Sequence, residues 1–303
     1  MQSFSRGWSF LIQAWGMAFK DKDLIKPSIY ALGVGSVVSI VGILPIVGAY
    51  LLIGQSGIGQ VVTFMLVSFM VFANFMVTYI FSGMTAYLIF GYLSEGDGRM
   101  DKAWTIVKRD FFDILTLAAA STAVNMIKNL AQRRNQQGSQ NVLAGAMQSA
   151  SGLFEVLWTE ASYLILPAMV IDDLNLKDGV LRVWEITKSN VLLIGISTVG
   201  VRTVAGLIGF IFGVTGAIIG FGVGYGIISM IGTGAAGLII GIGIGLGVMF
   251  FFAFTLVASV VSSYTGIAYH TCLYIWAREE EKAQAAGQSI HAAAPAPLAA
   301  VLG

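Results

Sequence analysis

Charge is what this sequence has least of. Only 11% of its 303 residues are Asp, Glu, Lys or Arg, less than half of the roughly 25% usual for soluble domains. Residues 27–94 and 203–277 contain none of the four. With 17 Lys+Arg against 16 Asp+Glu the net charge is +1. That balance leaves no concentrated basic surface for nucleic acid, which is excluded as a partner. There is one cysteine, Cys272, which rules out an internal disulfide and a cysteine metal cluster. Within "YHTCLYIW" it reads as a small packing residue.

Catalytic signatures are missing too. There is no Gly-x-Ser-x-Gly, no His-Glu-x-x-His, no Walker motif and no pair of aspartates within an apolar tract. The expectation is a protein without enzymatic activity, with no catalytic residue, no cofactor and no metal. The N-terminus also lacks the unbroken apolar region and small-residue cleavage site of a signal peptide.

What is present is apolar: 56% of residues are hydrophobic and the mean hydropathy is +0.81. A spanning helix needs about 20 apolar residues, so each uncharged tract can hold two crossings. The expected fold is all-α, a polytopic transmembrane helical bundle with amphipathic interfacial helices. Three regions are expected: a surface helix over 1–26, a transmembrane helical domain over 27–283, and a disordered Ala/Pro-rich tail over 284–303.

In the first region Trp8, Leu11, Ile12, Trp15 and Phe19 recur at helical spacing, as in a helix lying on a bilayer. Residues 28–53 form the first span, bent at Pro45. The apolar run from Gln60 to Ser94 is longer than a hydrocarbon core requires, and so must tilt, break near 82–84 or project. A further span over 191–213 precedes a glycine-rich stretch at 214–235, and 236–277 is again over-long. Lys and Arg cluster in 1–26, 99–109, 128–134, 177–188 and 278–282, whereas 54–60 and 214–235 have none. The positive-inside rule then puts both termini in the cytoplasm, with the chain in the cytoplasmic membrane. Residues 111–171 leave two alternatives. They enter as a cytoplasmic-side hairpin, giving four full spans, or they cross twice, giving six and leaving Lys128, Arg133 and Arg134 outside.

Three segments share one plan: "AWGMAFKDKDLI" (14–25), "AWTIVKRDFFDI" (103–114) and "VWEITKSNVLLI" (183–194). Tryptophan favours the headgroup boundary, lysine reaches toward phosphates, and the following Asp or Asn suits a helix cap. Trp15, Lys20, Trp104, Lys108, Trp184 and Lys188 are therefore the expected interfacial anchors, with the lipid bilayer as partner.

"GWSFLIQAWGMAFKDKDLIKPSIYALGVG" (7–35), the Ala-Trp-Lys segment after the second span, "YLILPAMVIDD" (163–173) and "YHTCLYIWA" (269–277) together resemble a bacterial family of multi-pass membrane proteins catalogued only as a domain of unknown function. The glycine-rich 206–247 and the Ala/Pro tail depart from it. More distantly, the plan of two over-long helices and a hairpin resembles the CysZ-type sulfate permeases and the etoposide-induced membrane proteins. Neither resemblance brings a binding residue with it.

Within the apolar tracts a few residues stand out. Arg202 sits inside a span, where a charge marks a functional site or a structural pair. Glu155 and Glu160 are its candidate partners, and the three form the candidate ligand-binding set. Asn74 and Asn125 read as helix-to-helix amides. His270 reads as a packed histidine, because no carboxylate lies at ligand spacing in sequence. Gly209, Gly213, Gly216 and Gly220, then Gly237, Gly241 and Gly245, step by three and four, the pattern of close helix packing or oligomerisation. Two functions fit these features. One is a permease or channel for a small, anionic solute. The other is a structural, membrane-organising component that forms homo-oligomers or engages a membrane-protein partner through its glycine-rich faces.

Overall fold

The structure, a computed structural model, describes residues 2–54, 56–136, 142–231, 236–285 and 294–302. Among them every regular element is helical: α1 (Gln2–Lys20), α2 (Lys26–Ile53), α3 (Gly57–Glu95), α4 (Met100–Arg109), α5 (Phe111–Gln136), α6 (Val142–Asp172), α7 (Leu176–Ile231), α8 (Ala236–Ala285) and α9 (Ala296–Leu302). Five stretches are long and apolar enough to cross a membrane: Lys22–Ile53, Gly57–Glu95, Phe111–Leu130, Thr203–Val223 and Ile244–Ala283. The chain is an all-α, membrane-spanning type of protein. It forms two compact units, one of residues 17–191 with 270–295, the other of residues 1–16, 192–269 and 296–303.

In the larger unit α2 and α3 form an antiparallel pair. Pro27 starts α2, where its missing N–H costs nothing, and Pro45 lies inside it. Ser56 caps α3, its hydroxyl accepting from Gly59 N–H at 2.9 Å. Gly59 is required here, since a Cβ on it would lie 1.6 Å from the Ile53 carbonyl oxygen. Asn74 joins the pair as a helix-to-helix amide: its Oδ1 accepts from Ser39 at 3.1 Å and its Nδ2 donates to Met70 O at 3.0 Å.

α3 does not break at 82–84. It is one helix of 39 residues, about 58 Å long. Gly83 serves instead as a close-approach point, its Cβ position 3.3 Å from Val170 and 3.6 Å from Val107. The helix ends at Gly96, whose φ of 81° is left-handed and suits glycine. Asp21 then ties this end down, accepting from Gly98 N–H at 2.7 Å as well as from Asp23 N–H at 2.9 Å.

α4 is the amphipathic middle copy of the tryptophan–lysine plan. Asp101 sits in its first turn and Lys108 and Arg109 in its last, matching the helix dipole. Asp110 separates it from α5, and the Arg109 guanidinium binds both Asp110 at 2.6 Å and Asp173 at 3.1 Å. Asp173 has φ 56°, the left-handed turn by which the chain leaves α6. α5 and α6 run as a long antiparallel hairpin against α3. The residues Asn125 to Leu130 near the far end of α5 share a cavity with Tyr50 of α2 and Gln60 of α3. The hairpin therefore reaches the α2–α3 turn, and within it Phe111–Leu130 is long and apolar enough to span.

The smaller unit contains most of α1 and the apolar parts of α7 and α8. α1 has two apolar faces. Phe10, Leu11 and Ala14 are buried, while Trp8, Ile12 and Phe19 of the expected membrane face are exposed. Phe10 meets Tyr269 edge-on at 5.5 Å, and the Tyr264 hydroxyl donates to Ala14 O at 3.0 Å. α7 does not end with the expected span at 213 but continues through the glycine-rich stretch to Ile231. The reason is packing: a Cβ on Gly216 would lie 2.7 Å from Phe254 Cβ, and one on Gly220 would lie 2.3 Å from the Gly247 carbonyl oxygen. Of the expected tail, residues 286–293 lie outside the described residues, and only a short C-terminal part can be compared. Ala296–Leu302 is helical and Leu298 is fully buried, because "APLAAVL" has enough apolar surface to be covered.

Candidate functional site

The polar groups of the larger unit line up along α5 and α6, and their order follows from helical register. Glu155 and Glu160 are five residues apart, hence about 140° apart around α6. They cannot serve one ligand from one face. Glu155 turns to α5, where Lys128 Nζ meets its two oxygens at 2.6 and 2.7 Å. Glu160 turns to α8, where its carboxylate lies 3.1 Å from His270 Nε2. The imidazole also stacks on Tyr163, with ring centroids 5.1 Å apart and planes 20° apart. His270 is buried, as its spacing suggested, and also has a carboxylate partner that local spacing does not show, because Glu160 is 110 positions away in sequence. The side chain of Arg202, the third member of the candidate set, lies outside the described residues, as do those of Gly237 and Gly241.

Between these two pairs the helices are tied by Ser121, which is buried. Its hydroxyl accepts from Trp158 Nε1 at 2.9 Å and forms a hydrogen bond with the Tyr79 hydroxyl at 2.7 Å, in which either oxygen can donate. One small side chain therefore connects α3, α5 and α6. Beside it lies a cavity of about 80 Å³ lined by Thr78, Tyr79, Asn125, Glu155 and Thr159. A second cavity of about 550 Å³ opens toward the α2–α3 turn and has Tyr50, Gln60, Thr63, Ser68, Asn125 and Asn129 among its lining residues. Asn125 borders both. Asn129 Nδ2 donates to Asn125 Oδ1 at 2.8 Å, which aims the Asn125 amide. Thr63 Oγ1 is covered from solvent and has no hydrogen-bond partner among the described residues.

At the opposite end of the unit, Asp172 accepts from the Tyr274 hydroxyl and pairs with Arg278 at 2.9 Å, and Arg182 pairs with Glu281. Arg278 also lies 5.8 Å over the Phe90 ring. These contacts hold α6, α7 and α8 together near their charged ends. Asp110 is buried, and desolvation pushes its carboxyl above the ordinary carboxylate range, against the opposing hydrogen bond from Arg109. Among the described residues no three His, Cys, Asp or Glu side chains converge at metal-binding distance.

The expected anchors divide. Trp104 and Trp184 are exposed, as are Lys20, Lys108 and Lys188. Trp15 instead turns inward, donating to Thr265 Oγ1 at 3.2 Å and meeting Tyr264 edge-on at 5.5 Å. Of the glycines, Gly216 and Gly220 lie at helix contacts, whereas Gly209, Gly213 and Gly245 have open space where a Cβ would stand. Sequence reasoning passed over Gly247, Ser121, Trp158 and Lys128. Lys128 reads in the sequence as one of the loop charges of 128–134, and a serine in an apolar helix gives no signal of its own.

The class these features define is an all-helical membrane-spanning protein with a polar seam in one unit. No family model matches the chain, and no curated protein matches it.

Proposed function

We propose that the chain is a permease or channel, and that small solutes pass along the seam between α3, α5 and α6. The observation that carries this reading is the pair of cavities bordered by the same Asn125, one of about 550 Å³ and one of about 80 Å³. Placing amides, hydroxyls and the Lys128–Glu155 pair in an otherwise apolar bundle is costly, and groups of this kind mark solute or ion paths. The wide cavity falls in the about 300–1,000 Å³ range of small-molecule sites. The Glu160–His270 pair lies further along α6. Loop charges support a cytoplasmic membrane with both termini inside. If residues 111–171 cross twice, the cluster of Lys128, Arg133 and Arg134 is the exception to the positive-inside rule.

The test is a proteoliposome flux screen of small anions and small neutral solutes. Wild-type protein should move at least one of them, and Asn125→Leu, which fills the shared wall, should reduce that flux at least tenfold. Empty-liposome rates for every solute would overturn the reading. Including Arg202→Ala and Lys128→Ala shows which cation governs any preference for anions.

The structural, oligomerising reading draws on Gly209, Gly213 and Gly245, whose Cβ positions are open. It requires that bulky residues there disperse an oligomer in mild detergent.

A further inference from the structure

A separate cavity lies toward the other end of the α2–α3 pair. It measures about 760 Å³ and its walls are apolar: Ile29, Val34 and Val37 of α2, Phe81 and Met84 of α3, and Met100 and Trp104 of α4. Ile29 to Val38 of α2 border it, a run of about 14 Å along the helix axis. That length is close to the hydrocarbon depth of one leaflet, about 15 Å, so an acyl chain can lie along it from the headgroup level inward.

The charges on α4 say what kind of molecule this chain belongs to. Arg99 pairs with Asp101, Lys102 with Glu95, and Arg109 with Asp110 and Asp173. Lys108 is different. Among the described residues it meets no carboxylate; its ammonium lies over the Trp104 ring, 5.1 Å from the centroid. Met100, Trp104 and Lys108 are four residues apart and share one face of α4. The helix thus presents a methionine and a tryptophan to an apolar cleft, and an uncompensated cation at the next turn.

We infer that this cleft is a binding site for an anionic phospholipid: one acyl chain lies between α2 and α4 against α3, and the lipid phosphate is held by Lys108 beside Trp104. A zwitterionic lipid would fill the apolar part equally, but its own ammonium already compensates the phosphate and competes with Lys108 for it. The site gives the middle copy of the tryptophan–lysine plan a specific role, and it does not depend on the transport reading.

The test uses the full chain in phosphatidylcholine liposomes doped with dibrominated lipid, which quenches nearby tryptophan. The signal of Trp104 is taken as the difference between the parent protein and Trp104→Phe. Brominated phosphatidylglycerol should half-saturate this quenching at about fivefold lower mole fraction than brominated phosphatidylcholine, the factor one cation contributes at an anionic surface. Lys108→Gln should erase that preference. Gly33→Leu should raise the half-saturating fraction of both lipids. Gly33 borders the cleft and nothing lies within 4 Å of its Cβ position, so the added side chain enters the cleft without a backbone clash. Equal half-saturation for the two lipids in the parent protein would overturn the assignment to an anionic lipid. Quenching unchanged by Gly33→Leu would overturn the placement of the chain in the cleft.

Discussion

Gly220→Ala and Gly213→Ala should change stability in opposite directions, although both replace a glycine by the same residue on the same stripe of α7. At Gly220 the new methyl would lie 2.3 Å from the Gly247 carbonyl oxygen, whereas ordinary contact begins near 3.4 Å. The obstructing atom is backbone, so relief requires α7 and α8 to separate locally by about 1 Å. Overpacking of this kind costs about 3 kcal/mol at its upper end, offset by about 1 kcal/mol from alanine's better helix propensity. The net loss is roughly 2 kcal/mol, a fall in Tm of roughly 4–8 °C. At Gly213 nothing lies within 4 Å of the Cβ position. Only the propensity term remains there, a gain of about 1 kcal/mol and a rise of roughly 2–4 °C. Thermal unfolding in mild detergent, followed by circular dichroism with size-exclusion light scattering in parallel, measures both effects. Equal effects of the two changes, or a stabilised Gly220→Ala, would refute the claim that this stripe is used inside the chain at one point and open at the other.

Three further outcomes are expected. Glu155→Gln leaves Lys128 without its partner among side chains 27–29% exposed; the loss should be roughly 1–3 kcal/mol, below that of a fully buried pair, and the swap Lys128→Glu with Glu155→Lys should recover most of it in a double-mutant cycle. Ser121→Ala removes the shared partner of Tyr79 and Trp158, so it should destabilise by about 1–3 kcal/mol and shift the Trp158 emission, read as the difference from the same change in a Trp158→Phe background. The raised carboxyl of Asp110 favours its protonated form in the folded state. Its contribution is complete below the unfolded value of about 4 and is lost as pH rises through the higher folded value. Asp110→Asn should therefore flatten the decline in Tm as pH rises from about 4 upward, and an unchanged pH profile would show that Asp110 is not its source.

Much of the fold was legible because membrane segments announce themselves by composition. Uncharged tracts at 27–94 and 203–277 indicate helices, since hydrocarbon leaves no partner for an open backbone and the strands of a closed barrel would alternate apolar with polar residues. The tryptophan–lysine plan of 103–114 likewise indicates a surface helix, although the structure ends that helix at Arg109. Less of the candidate site could be read. The spacing of Glu155 and Glu160 indicates different faces of α6, but not which helix each face meets. Local spacing also assigned His270 to plain packing, since its carboxylate partner arrives from a helix 110 positions away. The three tryptophan–lysine copies look alike in sequence, yet Trp15 is drawn inward by Thr265 and Tyr264 while Trp104 borders an apolar cleft. Similar local chemistry was sorted by what each helix came to lie against.

By itself, then, the sequence determined the solvent, the helical class and the charged ends of the helices, because these depend on the residues present and on hydrogen bonds satisfied within each helix. Tertiary structure alone decided that the hairpin of α5 and α6 reaches the α2–α3 turn, that Ser121 joins three helices, and that Gly220 meets Gly247. Those outcomes depend on contacts between residues far apart in the chain, and no local spacing encodes them.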